Sequence, residues 1–238
     1  MRKRIKVIVP NITPEFNQDV YRIFERIKDA DTEVDVCNIG EPGALYLTQK
    51  YDVVWSGLSV LQAAEQAERN GYDGVFIYCA LDPARTALRE ALNIPVVSMF
   101  EAALHITAAL GDHFSVICPM GSRGAREELI HLYRMDAKFV SVEFFDLGVG
   151  GLSDAEGSYK IIARAAQDAV GKGADSLIFG CGAMMGVAKR LSVELGIPVV
   201  EPGPVAFKLL EAMIGLGLKH SKVTYRNPIR HDNEERNK

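Results

Sequence analysis

The chain has 238 residues, 48% of them hydrophobic, and its 27 Lys and Arg against 31 Asp and Glu give a formal charge of −4. That length suits one large domain or two smaller ones, with enough core to fold without disulfides, and the charge balance excludes the concentrated basic face that a nucleic-acid partner calls for. No apolar run is long enough to cross a bilayer, and the basic opening Met1-Arg2-Lys3-Arg4 lacks the apolar stretch of a secretory signal. Four scattered cysteines (Cys37, Cys79, Cys118 and Cys181) without a Cys-x-x-Cys pair point away from a zinc site or a disulfide framework, and towards a cytoplasmic protein with reduced thiols.

In chain order, the first apolar run predicts a strand over residues 5–9, closed by Pro10 and Asn11. A helix follows over 16–28, then strands over 34–38 and 53–55, a helix over 59–70 and a strand over 74–78 that runs into Cys79. Next come a helix over 83–92, a strand over 96–99 and a helix over 102–110. The second half gives strands over 114–117, 140–145, 177–179 and 199–200, with helices over 124–133, 158–171, 184–195 and 205–216. Apolar residues in the helical stretches recur at spacings of three and four. Such alternation is the mark of parallel sheets covered by helices. The tail from Lys219 is polar, and its end, residues 231–238, is expected to be mobile.

The two halves repeat one another. Gly71-Tyr72-Asp73 before the strand ending at Cys79 answers Gly173-Ala174-Asp175 before the strand ending at Cys181. Ile94-Pro95-Val96-Val97 answers Ile197-Pro198-Val199-Val200, and Val7-Ile8-Val9-Pro10 answers Val116-Ile117-Cys118-Pro119. Similar patterns arise by chance in α/β chains, but a shared glycine, aspartate and cysteine in register, with the proline 16 residues after the cysteine in one half and 17 in the other, argue against chance. The expected fold is therefore two similar α/β domains, each a parallel sheet flanked by helices, related by a pseudo-two-fold axis with the active site between them. Residues 1–98 with about 205–238 form the first domain, and about 99–204 the second.

In open parallel sheets, ligands bind at the carboxyl ends of the strands. Both Cys79 and Cys181 sit there, each expected just before a helix whose N-terminus favours a thiolate and an anionic ligand. Two acid/base groups facing one carbon from opposite sides suit stereoinversion: one removes a proton as thiolate, the other returns one as thiol, with no metal or pyridoxal needed if donors are pre-placed for the carbanion. A single cysteine at a strand end is ordinarily packing; the matched pair reverses that judgement. Cys37 has no twin and reads as packing, as does Cys118. Gly180 and Gly182 allow close approach of backbone to a ligand. Asn11 can donate and accept at the cleft mouth, or serve as an N-cap or Asx-turn. None of the five histidines neighbours a cysteine, Gly148-Val149-Gly150-Gly151 lacks nucleotide-loop spacing, and Met184-Met185 reads as core.

These residues resemble the Asp/Glu/hydantoin racemase superfamily over nearly the whole chain, from Val7 to about Leu216, and within it the hydantoin and allantoin racemases. That branch's Cys-Phe-Gly-Asp-Pro and following Leu-Arg-Glu match Cys79-Ala80-Leu81-Asp82-Pro83 and Leu88-Arg89-Glu90. Its Pro-Val-Val and Glu-Ala-Ala match Pro95-Val96-Val97 and Glu101-Ala102-Ala103, its Gly-Cys-Ala-Gly-Met matches Gly180-Cys181-Gly182-Ala183-Met184, and its opening Asn-Pro-Asn-Thr appears as Val9-Pro10-Asn11-Ile12. Ala80 replaces the bulky residue after the first cysteine, and Cys118-Pro119, with Ser122 soon after, replaces a Thr-Thr pair. The resemblance implies a cofactor-independent racemase with catalytic Cys79 and Cys181, a small-molecule substrate held near Asn11, Ala80, Ser122 and Gly182, and a homo-oligomer without nucleic-acid or membrane partners. A 5-substituted hydantoin or allantoin-like ring is the first substrate class. The alternatives are an Asp/Glu-type amino-acid racemase, a cis–trans isomerase or decarboxylase of the same fold, and a non-catalytic binding protein.

Overall fold

The computed structural model describes residues 2–121 and 123–229. The first sheet is built from β1 (Lys3–Val9), β2 (Thr32–Asn38), β3 (Gly74–Ile77) and β4 (Val96–Ser98), the second from β5 (Phe114–Pro119), β6 (Phe139–Phe145), β7 (Ser176–Phe179) and β8 (Val199–Val200). Their orders, β2-β1-β3-β4 and β6-β5-β7-β8, are the same plan carried out twice, and every strand pair is parallel. The predicted two-sheet α/β architecture is thus present.

The repeated motifs turn out to be the framework of each sheet. Gly71 and Gly173 both take a left-handed backbone (φ 76° and 100°) that admits glycine without penalty. Asp73 accepts the backbone N–H of Arg4 at the start of β1 (2.7 Å), and Asp175 accepts those of Asp112 and His113 just before β5 (2.9 and 3.0 Å). The Pro95 and Pro198 carbonyls accept from Val75 and Leu177 (3.0 and 2.9 Å), locking β4 and β8 to their neighbours.

Among the described residues eight helices cover the sheets: α1 (Asn17–Ile27), α2 (Lys50–Arg69), α3 (Arg85–Ala91), α4 (Met99–Leu110), α5 (Arg123–Leu132), α6 (Ala155–Gly171), α7 (Ala188–Leu195) and α8 (Pro202–Gly215). Two of them exchange sides. Helix α4 leaves β4 directly and lies against β7 of the other sheet, while α8 follows β8 and packs on β3, β4 and α1 of the first. Helices α4 and α8 also pack on one another, so the exchange forms the seam between the lobes. Phe207 of α8 stacks on Phe24 of α1 (4.6 Å between centroids), with Phe76 and Tyr78 edge-on to Phe24, in a fully apolar cluster.

The strand expected over 53–55 is not one. Those residues lie in α2, whose start is fixed by a capping box between Gln49 and Asp52. Val54 and Trp55 are 79% and 50% exposed, so the β-branched and aromatic run that suggested a strand is a surface feature of a helix. The polar tail is docked through two residues: Lys222 Nζ donates to the carbonyls of Arg89, Glu90 and Leu92 at the end of α3, and His220 Nε2 lies 2.9 Å from Val96 of edge strand β4. Residues 231–238, expected to be mobile, lie outside the described residues. Among the described residues no helix is long and apolar enough to cross a membrane.

Candidate active site

A single pocket opens at the carboxyl ends of both sheets. From the first lobe come Val9 at the end of β1, Pro10 and Asn11 after it, then Tyr78, Cys79 and Ala80 after β3; from the second, Gly180, Cys181, Gly182 and Ala183 after β7. Tyr46 and Leu47, in the connection between β2 and α2, and Val149 complete the walls together with Arg126 of α5. Of the residues singled out from sequence, Asn11, Cys79, Ala80, Cys181 and Gly182 are therefore brought together; Ser122 lies outside the described residues.

The cysteines stand in matching settings. Both are partly buried and free of disulfides, and each accepts a backbone N–H from the residue two further on, Leu81 for Cys79 and Ala183 for Cys181. The helices expected immediately after them start later, α3 at Arg85 and α7 at Ala188, so these turn amides take the place of a helix N-terminus. Burial pushes the Cys79 thiol up to about 12 and the Cys181 thiol to about 11, against the pull of those amides and of Arg126. Burial thus favours the thiol form at both sulfurs. Desolvation outweighs the local donors at both sulfurs, the opposite direction to that expected from a helix N-terminus.

Arg126 was not found by reading the sequence. It is only 8% exposed, donates to the Ala80 carbonyl and to Cys118, and lies over the Phe100 ring (5.8 Å). Among the described residues it has no carboxylate partner, and it is the one charged residue lining the pocket. A signal existed: Arg126 falls on the buried stripe of α5 with Ile130, continued by Tyr133 just after the helix, where helical spacing calls for an apolar side chain. Cys118 is fully buried, its sulfur packed against Gly180, where a Cβ would come within 2.0 Å of it. Met184 is likewise buried, and Cys37 and the described histidines lie away from the pocket.

The motif residues around Cys79 serve its support. Asp82, buried and in a left-handed conformation (φ 44°), accepts from the N–H groups of Phe100 and Glu101 at the start of α4 and from the Tyr133 hydroxyl. Glu101 is held by Arg85 and Arg89, outside the pocket. Two widely separated matches, Leu88-Arg89-Glu90 and Glu101-Ala102-Ala103, are thus one ion-paired unit under the Cys79 turn. Across the seam, the Tyr78 hydroxyl donates to the Gly182 carbonyl (2.8 Å), tying the two cysteine turns to each other.

The family model described as Asp/Glu/Hydantoin racemase matches residues 5–210. The chain belongs to that family. It is 30% identical to the hydantoin racemase of Paenarthrobacter aurescens over 94% of this chain and 97% of that one, and 28% identical to the hydantoin racemase of Pseudomonas sp. (strain NS671) over 94% and 92%. Among solved structures it is similar to an allantoin racemase from Klebsiella pneumoniae, with a TM-score of 0.89, 26% identity, and 96% and 94% of the two chains covered. These relationships make the protein an isomerase of the racemase type acting on a small molecule. Its likeness to arylmalonate decarboxylase, at 20% identity and a TM-score of 0.63, is a likeness of fold.

Proposed function

We propose that this racemase inverts a carbon acid next to a carbonyl, without cofactor, by a two-cysteine thiolate/thiol mechanism on a 5-substituted hydantoin or an allantoin-like ring. The observation that carries the reading is the arrival of Cys79 and Cys181, from separate sheets and in equivalent turns, in one pocket. One sulfur, as thiolate, takes the proton of the ring carbon, and the electron pair of that C–H bond moves into the adjacent carbonyl as an enolate. The opposite thiol gives its proton to the other face of the carbon and becomes the thiolate. One S–H bond forms and one breaks, so the enzyme ends poised for the reverse direction. Two thiols held at about 11 and 12 suit this reversibility, because neither is a much better resting place for the proton. Arg126 supplies the positive charge that the thiolate and the enolate need in a buried site. A ring C–H beside an imide-type carbonyl is more acidic than that of an amino-acid carboxylate, so such a substrate asks less electrostatic help of a mostly apolar pocket with one cation.

The test is solvent-deuterium exchange followed by NMR over 5-substituted hydantoins, allantoin and free amino acids. The expected outcome is exchange with inversion on a ring substrate. Cys79→Ala and Cys181→Ala each abolish racemisation while exchanging opposite enantiomers, since each retains one base. A variant that still racemises near the wild-type rate sinks the two-base reading. The Arg126 guanidinium, without a carboxylate partner among the described residues, favours one second reading, an acidic amino acid whose carboxylate it would bind. Racemisation of aspartate or glutamate with the rings untouched would select that one.

A further inference from the structure

At the end of the first sheet three asparagines form a chain of hydrogen bonds. Asn17 Nδ2, on the first turn of α1, donates to Asn38 Oδ1 (2.5 Å). Asn38 Nδ2, at the end of β2, donates twice, to Asn11 Oδ1 (2.6 Å) and to the Thr13 backbone carbonyl (2.7 Å). A carboxamide has an oxygen that accepts and a nitrogen that donates two protons. The Thr13 carbonyl can only accept, so it fixes which end of Asn38 faces it. That same Nδ2 must then meet an oxygen on Asn11, and Asn38 Oδ1 must meet the nitrogen of Asn17. One backbone carbonyl therefore sets the orientation of all three amides. Asn11 is 7% exposed and lines the pocket. With its oxygen taken, its Nδ2 is left, and among the described residues nothing accepts from it.

We infer that Asn38 and Asn17 are positioning residues: they hold Asn11 in the one orientation that presents a donor to the substrate, so that the pocket reads an acceptor oxygen there. This rests on the pocket being the racemase site. For a ring substrate the oxygen addressed is the carbonyl that becomes the enolate, and a donor aimed at developing charge raises kcat more than it lowers KM. The relay runs against the use of Asn11 as an N-cap or Asx-turn, since its oxygen is spent on Asn38.

Two measurements test it. In uniformly 15N-labelled wild-type protein, both side-chain amide protons of Asn38 are expected to exchange slowly with solvent, and those of Asn11 quickly. The reverse pattern overturns the relay, and this measurement needs no substrate and no variant. In kinetics, Asn11→Ala is expected to lower kcat on the order of a hundredfold, the scale of a lost oxyanion donor. Asn38→Asp, which cannot donate and draws the Asn11 NH2 away from the pocket, is expected to cost a similar factor. The double variant Asn11→Ala/Asn38→Asp should be no slower than Asn11→Ala alone, because a positioning residue has nothing left to position. If the two losses multiply, or Asn38→Asp keeps kcat within threefold of wild type, the inference is wrong. If wild type exchanges no ring substrate at all, the substrate reading falls while the amide-exchange pattern still decides the relay.

Discussion

The two cysteines make a definite statement about pH. With the Cys181 thiol at about 11 and Cys79 at about 12, the fraction carrying one thiolate rises about tenfold per pH unit below 11. The expected kcat/KM therefore climbs with near-unit slope from pH 7 to 9, and a flat profile over that range would show that the thiolate arises some other way. Arg126→Met removes the cation that opposes desolvation at both sulfurs, so the same rise should start at higher pH, with kcat falling more than KM changes. A second residue-scale test concerns Gly180. An alanine there would put its Cβ 2.0 Å from the Cys118 sulfur and 2.9 Å from Val116, an overpacking expected to cost about 1–3 kcal/mol. Gly180→Ala/Cys118→Ala should recover part of it in urea denaturation. The cysteine pair was legible in the sequence because each thiol carries its own copy of a Gly-x-Asp frame. Arg126 was not, because its meaning depends on what lies opposite α5, and Asn11 was legible only as an ambiguity that Asn38, from another strand, resolves.

At the scale of elements, the Cys79 turn depends on one carboxylate. Asp82 caps α4 from outside that helix and also binds Tyr133 of the other lobe. Asp82→Asn tolerates the left-handed backbone but turns an NH2 towards groups that themselves donate, so a loss of roughly 1–3 kcal/mol is expected. Burial holds the Asp82 carboxyl up near 6, above its ordinary 3.8. A raised folded value means that the stability from its proton is complete below about 4 and is lost as pH rises through about 6. Asparagine has no such titration, so the gap between wild type and variant should widen from pH 8 to pH 5 in urea melts. Lys222, spread over three carbonyls at the end of α3, is a smaller case: Lys222→Met should cost about 1 kcal/mol or less, seen as a lower Tm. Most helices and strands could be read from periodicity. The error at 53–55 came from weighing Val53, Val54 and Trp55 by strand propensity when the capping residues Gln49 and Asp52 before them decide for a helix.

For the whole molecule, the doubling of the plan was readable because the framework residues repeat, whereas the exchange of α4 and α8 was signalled by no single motif. It follows from which sheet face each helix finds uncovered. We propose that the domains follow it, with residues 1–98 and about 205–238 in one and about 99–204 in the other. Removing α8 by ending the chain at residue 201 would uncover the Phe24–Phe76 cluster that Phe207 closes. The expected result is a first lobe without cooperative unfolding, by circular dichroism and proteolysis, beside a second sheet that keeps its protection. The Tyr78–Gly182 bond is the matching test of the seam. Tyr78→Phe leaves the Gly182 carbonyl without its donor, about 1–2 kcal/mol if it stays dry, and should lower kcat by loosening one cysteine turn against the other.

The exchange also bears on synthesis. A ribosome makes β1 to β4 first, yet the helix that closes this sheet, α8, leaves the exit tunnel only after every strand of the second sheet. The second lobe, continuous from α4 to β8, has all its parts earlier. Assembly should thus run against the order of translation, the second lobe maturing while the first waits with an apolar face uncovered. Limited proteolysis of ribosome-stalled chains ending near residue 200, with the tunnel-bound stretch extended by a linker, would show protection of residues 114–200 before residues 3–98; protection in the opposite order would refute it.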